Sequence, residues 1–319
     1  MKLLSIVFFF FLSNTLLAQK LEQVSLTYVA SGSVSDMLIK NEKLFVATNA
    51  SCIDIFTINN PKKIKSIYVE KIVDFMGKKS NSKVYSVDVY KDKIAILSQA
   101  SKGFRRVHIY ENGKLHLLIS NKNQLYISKV RFLDENTLLL GLLSNEIISF
   151  DISKNVINYL VQVSQSKFSD FALSEDKSEV VIADESGDLK LLDTKNGLLK
   201  ETFSGQNLDN VFKVDYKNGV IATAGQDRRV VVYNVKSNVA YYKKSSFLIY
   251  AVGLSPSAKL VAYASNEDNN VRVFNSSTQD TVGNFVGNKM TLTKILFINE
   301  KEFLVSSDDK TINLFKIRN

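Results

Sequence analysis

Val214–Asn234 reads VDYKNGVIATAGQDRRVVVYN, and this stretch decides the fold of the chain. It holds three short apolar strands. The first is separated from the second by Lys217-Asn218-Gly219, and the second from the third by Gln226–Arg229. The third ends on an aromatic side chain, Tyr233. The same unit begins again at Met37, Val87, Val130, Phe171, Val252 and Ile295. The seven starts are spaced by 50, 43, 41, 43, 38 and 43 residues, a mean of 43. Seven such units account for the 301 residues that follow the first 18. A period of roughly 40–45 residues with four short strands per unit specifies a β-propeller.

Working outward, the fourth strands are predicted between the quoted segments. They are Ile64–Val69, Leu115–Ile119, Val156–Val163, Leu198–Phe203, Val239–Lys243 and Thr281–Val286. That supplies six fourth strands for seven units. Val24–Val29 (VSLTYV) has strand composition and no unit of its own, so it is predicted to complete the last blade. Closure of this kind removes free sheet edges, which would otherwise pair with other chains. The expectation is all-β: a seven-bladed propeller closed by an N-terminal strand, one domain over 19–319.

Residues 1–18, MKLLSIVFFFFLSNTLLA, carry one charge, Lys2, before an apolar run, with a polar break at Ser13-Asn14 and a small residue at Ala18. That order is a secretory signal peptide, which predicts export to the periplasm. The run is short for a membrane span of about 20 residues. An uncleaved anchor is the alternative, and a lipid anchor lacks its cysteine. Hydrophobic content of 45% with 23% charged excludes a disordered chain. Cys52 is the single cysteine, so no internal disulfide forms.

The unit starts and the positions two residues later are apolar or aromatic in all seven units: Met37/Ile39, Val87/Val89, Val130/Phe132, Phe171/Leu173, Val214/Tyr216, Val252/Leu254 and Ile295/Phe297. Alternation at period two marks a strand with one packed face. Charges stand between and beside them: Asp36, Asp88, Asp170 and Asp215 against Lys129, Arg131, Lys213 and Lys294. Innermost strands line a propeller's channel, and unpaired burial of charge is costly. Mutual compensation around water is therefore expected, with a channel ligand as the alternative.

Three third-strand segments, AGQDRRVVVYN (Ala224–Asn234), NEDNNVRVFN (Asn266–Asn275) and SSDDKTINLFK (Ser306–Lys316), resemble the end of a WD40 repeat. The pairs Phe150-Asp151, Leu192-Asp193, Tyr233-Asn234 and Phe274-Asn275 stand where that repeat carries Trp-Asp. Asp227, Asp268 and Asp309 stand at its turn aspartate. The chain departs from the family in having no Trp and no Gly-His pair. Four stretches further resemble the WD40-like L accessory proteins of the periplasmic nitrate reductase (Nap) system: Asp88–Gly113, Leu142–Ile152, Asn210–Arg229 and Phe247–Asn275. That resemblance implies an exported accessory factor supporting reductase maturation or electron delivery, with periplasmic nitrate reductase components as partners. It carries over no catalytic residues.

Motifs of enzymes are missing: no GxSxG, HExxH, GxxxxGK[ST] or CxxCH occurs. With one Cys and two His (His108, His116), no dedicated zinc or copper site is expected. Neither a cofactor nor a catalytic residue is predicted. The acidic loops Asp184–Asp188 and Asn266–Asn270 lack calcium-loop spacing and are read as turns.

Charge is more informative. Residues 19–160 carry 20 basic and 13 acidic side chains, and 161–319 carry 20 and 19, so the excess of this +9 chain sits in its first three units. An insertion around Glu70–Ser82 lengthens the first spacing to 50. In a propeller it emerges on the same face as the loop Ser98–Arg106. Lys78, Lys79 and Lys83 should therefore lie beside Lys102, Arg105 and Arg106, near an exposed Phe104. Asp227, Arg228 and Arg229 project from the same face on the fifth unit. Such a patch raises encounter rates with acidic partners, and aromatic or Arg side chains anchor interfaces. Variable solvated loops are the plainer alternative. The expected function is a non-catalytic, monomeric protein-binding module without nucleic acid and without stable membrane insertion after signal cleavage. Two alternatives stand beside it: a channel that binds a cation, a sugar or another small ligand as sensor or enzyme, and a basic adaptor for anionic membrane surfaces.

Overall fold

A computed structural model describes residues 21–73 and 76–318; the signal segment lies outside the described residues, as do Asp74 and Phe75 of the insertion. Seven antiparallel sheets form in chain order, each starting on an innermost strand. Those strands are Val34–Lys40, Val84–Tyr90, Ile127–Phe132, Phe168–Leu173, Val211–Lys217, Val252–Leu254 and Leu292–Asn299. Each packs beside the innermost strand of the next blade, and the seventh returns to the first, closing a ring. All seven unit-start side chains are buried, from Met37 to Ile295. The predicted outer strands appear at Asn60–Tyr68, Lys114–Ile119, Val156–Gln162, Leu199–Phe203, Val239–Lys244 and Thr281–Phe285.

The seventh blade is completed as expected. Leu26–Val29 pairs antiparallel with Thr311–Lys316, in the register Leu26↔Leu314 and Tyr28↔Ile312. Tyr28 is fully buried, packs edge-on against Phe56 of the first blade at 5.5 Å, and accepts the N–H of Asn59 on its hydroxyl at 3.0 Å. The closing strand thus ties the last blade to the first. The prediction began this strand at Val24; the structure begins it at Leu26 and places Leu21–Glu22 elsewhere. That pair runs parallel to Asn284–Phe285 as a fifth strand on blade six, which nothing in the repeat foretold.

Blades are joined by apolar packing. Phe285, Phe303 and Phe315 form one aromatic cluster between blades six and seven, with ring centroids 4.9–5.7 Å apart. Gly253 lets the backbone of the next blade come close. A Cβ there would lie 2.8 Å from the Ile295 carbonyl oxygen of the next blade. The pseudo-Trp-Asp pairs serve locally. Asp151 accepts the Lys154 N–H at 2.8 Å, Asp193 the Lys195 N–H at 2.8 Å, and Asn234 the Ser237 N–H at 3.1 Å. Each closes the turn into its outer strand, as Asx side chains do. At the predicted turn aspartates, Asp227 and Asp309 accept the N–H two residues on. In the blade-six loop that part falls to Asn266, which accepts the Asn270 N–H at 3.0 Å, and not to Asp268.

One irregularity recurs. In six blades the innermost strand carries a β-bulge near its start, and the extra residue is Ser35, Tyr85, Ser128, Ser169, Phe212 or Thr293. Bulges bend a strand and re-aim a side chain. Five of these six side chains line the mouth of the central channel, Phe212 being the exception.

Candidate interaction surfaces on the rim and in the channel

The two loops predicted to meet on the rim of blades one and two do meet, and Arg106 is the joint. Its Nη1 donates to Glu70 Oε2 at 2.9 Å, and its Nη2 to the carbonyls of Glu70 at 2.7 Å and Gln99 at 3.0 Å. Arg106 is therefore buried against the insertion and is not part of the exposed set. The expectation of an exposed Phe104 is also corrected. The ring is half-buried because it packs on Tyr126, centroids 4.9 Å apart. Arg105 is half-buried too, with its guanidinium 4.1 Å from the centre of the Tyr85 ring. Lys83 approaches the same ring at 5.4 Å. Lys78, Lys79, Lys83 and Lys102 are exposed. The rim is thus a cation–aromatic platform of Lys83, Tyr85, Arg105, Phe104 and Tyr126, edged by lysines.

The second candidate, on blade five, divides in the same way. Asp227 accepts the Leu208 and Arg229 N–H groups at 2.8 and 3.0 Å, which holds the loop. Arg229 lies 4.0 Å from the centre of the Tyr242 ring and donates to the Gln206 carbonyl at 2.7 Å. Arg228 is the exposed member. Beside it stands an aromatic group the sequence reading missed: Phe212 stacks on Tyr250 at 5.3 Å, with Phe247 6.4 Å from Tyr250. The missed signal was the position two residues before each unit start, which reads Tyr85, Phe212 and Tyr250 in three of seven blades.

The channel has a volume of about 620 Å³ and gathers all eight predicted charges. Its carboxylates follow a rule. Asp36 accepts the Val87 N–H at 3.2 Å, Asp88 the Phe132 N–H at 2.7 Å, Asp170 the Val214 N–H at 3.3 Å, and Asp215 the Leu254 N–H at 2.8 Å. In every case the acceptor stitches its own blade to the next. In two of the three blades that lack the aspartate, a lysine does the work. Lys129 of blade three reaches Asp170 and the Phe171 carbonyl, both at 2.6 Å, and Lys294 of blade seven reaches Asp36 at 2.7 Å. Arg131 adds a second cation to Asp36 at 3.0 Å.

The electrostatics follow. Burial alone would raise Asp36, but Arg131 and Lys294 hold its carboxyl far below the usual range. Asp170 is likewise held down, against burial, by Lys129 and Lys213. At Asp88 burial outweighs the charges of Arg131 and Lys177 and raises it. Burial, joined by repulsion from Arg131 and Lys294 and opposed by Asp170, brings Lys129 down to about 8.

Two further buried carboxylates, Asp54 and Asp184, are structural. Asp54 accepts from Ser31 N and Ser66 Oγ, each at 2.6 Å, and pairs with Lys63 at 3.2 Å. Asp184 accepts from Asn145 Nδ2 at 2.8 Å and Ser164 Oγ at 2.7 Å, and the Ser186 N–H at 2.8 Å closes the expected turn at Asp184–Asp188. His108 is buried within its strand, and burial drops it to about 4, far from a base poised near neutrality. Cys52 is buried, and burial pushes its thiol up. Reactive thiols are shifted the other way. Among the described residues no cluster of three or more His, Cys, Asp or Glu could hold a metal ion. No helix among them is long and apolar enough to cross a membrane.

No family model and no curated sequence matches the chain. Its fold is shared by a chain of the "Crystal Structure of Mitotic Checkpoint Complex", with a TM-score of 0.76 over 100% of this chain and 99% of that one. Identity is 13%, so the likeness shows the fold alone. The chain is a seven-bladed β-propeller.

Proposed function

We propose that this propeller is a non-catalytic module that binds an acidic protein partner on the rim of blades one and two. The observation that carries the reading is the Lys83–Tyr85–Arg105 stack beside the Phe104–Tyr126 pair. Aromatic and Arg side chains held half-buried lose little entropy on docking and serve as interface anchors, and the surrounding lysines steer an acidic surface. The neighbouring propeller was solved as part of a complex, which agrees with a binding role. The resemblance to the nitrate reductase L accessory proteins supplies a candidate partner, the periplasmic nitrate reductase. The signal-like segment supplies the compartment.

The test is gentle crosslinking in the native periplasm, followed by identification of what is joined to the chain. We expect reductase components, and we expect them to disappear when Lys78, Lys79, Lys102 and Arg105 are replaced by Ser. Absence of any reductase subunit, together with normal nitrate reduction in a deletion strain, overturns the assignment.

A further inference from the structure

We propose that the central channel is a binding site for a small polyvalent oxyanion, held by Lys213, Lys294 and Lys129 below the hydroxyl-lined mouth. The proposal concerns a ligand of the propeller itself and is independent of the partner assigned to the rim.

The first reason is that three of the five channel carboxylates, Asp36, Asp170 and Asp215, are already committed on both oxygens. Both oxygens of Asp36 are engaged, Oδ1 by Lys294 and the Met37 N–H, Oδ2 by Ser86 and the Val87 N–H. Asp170 gives one oxygen to Lys129 and the other to Val214 N–H. Asp215 gives one to Tyr216 N–H and the other to Leu254 N–H. A metal cation binding any of these three would have to break contacts that join the blades.

The second reason is that donors are left over. Seven basic side chains line the channel against five carboxylates. Lys213 lies near enough to Asp170 to lower its pKa, yet it forms no ion pair with any carboxylate among the described residues. An ammonium carries three donors. Lys294 spends one on Asp36. Ser128, aimed into the mouth by its bulge, has no hydrogen-bond partner among the described residues.

The third reason is that these donors share one layer. Lys129, Lys213 and Lys294 each stand immediately before their unit start, at Val130, Val214 and Ile295, so they lie at the same depth in blades three, five and seven. The other residues of that layer are Asp36, Ser86, Asp170 and Ala251. Three cations against two carboxylates leave the layer one charge positive. The like charges of Arg131 and Lys294 already press on Lys129. An anion in the centre relieves that repulsion, and the weak screening of a buried site makes the relief larger than on a surface. About 620 Å³ accommodates phosphate or a dicarboxylate together with its water.

The experiment is titration calorimetry on the whole mature chain with inorganic phosphate and with succinate, at an ionic strength fixed by sodium chloride. We expect saturable heat with one ion bound per chain for at least one of the two. Lys213→Gln should weaken it about tenfold or more, which is about 1.4 kcal/mol. Lys213→Arg should retain it, and so should Lys102→Gln on the rim. No saturable heat with either ion overturns the proposal. Equal affinity in Lys213→Gln and wild type also overturns it, because the ion would then sit outside the channel. Circular dichroism melts of each variant separate loss of binding from loss of fold.

Discussion

Replacing Asp36 by Asn tests whether the channel charges hold the ring together. Asp36 receives Lys294 from blade seven, Arg131 from blade three and the N–H of Val87 from blade two, so one carboxylate ties four blades. Asn keeps the shape and loses the charge, leaving two cations facing each other without their counter-ion. Removing one partner from a buried pair costs about 3–5 kcal/mol. Unfolding entropy of about 2.1 cal/mol/K per residue over roughly 300 residues gives about 0.6 kcal/mol/K, so Tm should fall by about 5–8 °C. The pH dependence has a definite sign. The folded Asp36 carboxyl sits far below its unfolded value of about 3.9. Its stabilisation is therefore complete above that unfolded value and is lost as pH falls toward the folded one. The assay is calorimetric melting of wild type and Asp36→Asn from pH 8 to pH 3. The gap in Tm should be constant down to about pH 5 and narrow below about pH 4. The double variant Asp36→Asn/Lys294→Met should recover part of the loss, because it removes one uncompensated cation. Equal melting of wild type and Asp36→Asn at pH 7, or a gap that widens on acidification, refutes the reasoning.

Other predictions follow from single contacts. Tyr28→Ala should cost about 3–5 kcal/mol and raise amide exchange first in Leu26–Val29 and Thr311–Lys316, because the joint to Phe56 is lost. Gly253→Ala should lower Tm by several degrees in calorimetric melts, since its Cβ meets the backbone of Ile295. Arg106→Ser should destabilise the fold by about 1–3 kcal/mol through the lost bonds to the Glu70 carboxylate and carbonyl and to the Gln99 carbonyl, whereas Lys78→Ser and Lys79→Ser should leave Tm within about a degree. His108, neutral when folded, binds a proton more readily in the unfolded chain. Stability should therefore fall as pH drops through about 6.5 toward about 4, and His108→Gln should flatten that slope in denaturant titrations.

The repeat made the architecture legible because every blade solves the same packing problem. A buried start residue, a small apolar second strand and an Asx-closed turn leave their mark at fixed spacing. The channel charges were legible for the same reason, and so was the pairing of Asp36 and Asp170 with cations, but not the surplus of positive charge. The directions of the contacts were not. Nothing in Asp88 or Asp215 as letters says that the carboxylate reaches a peptide N–H of the neighbouring blade. The rim was half legible. Loop length and topology brought Arg106 to the insertion, but sequence cannot distinguish an arginine that displays its charge from one that spends it on two carbonyls. The bulges were hidden because one extra residue in a strand does not disturb a period averaged over 43. The fifth strand at Leu21–Glu22 escaped because two residues carry no periodicity at all.

The closing strand has a kinetic consequence. Thr27 and Asn313, which share a hydrogen bond, are 286 residues apart in the chain. The four main strands of six blades come from neighbours in sequence, whereas the fourth strand of blade seven, like the short fifth strand on blade six, must come from the far end of the polypeptide. Loop closure over that distance makes the blade-seven seam the step most exposed to chain entropy. Until it forms, the strand Thr311–Lys316 presents a bare edge able to pair with a second chain. The expected misfolded product is therefore a pair of rings that have exchanged their first strands, favoured at high concentration and suppressed by dilution during refolding.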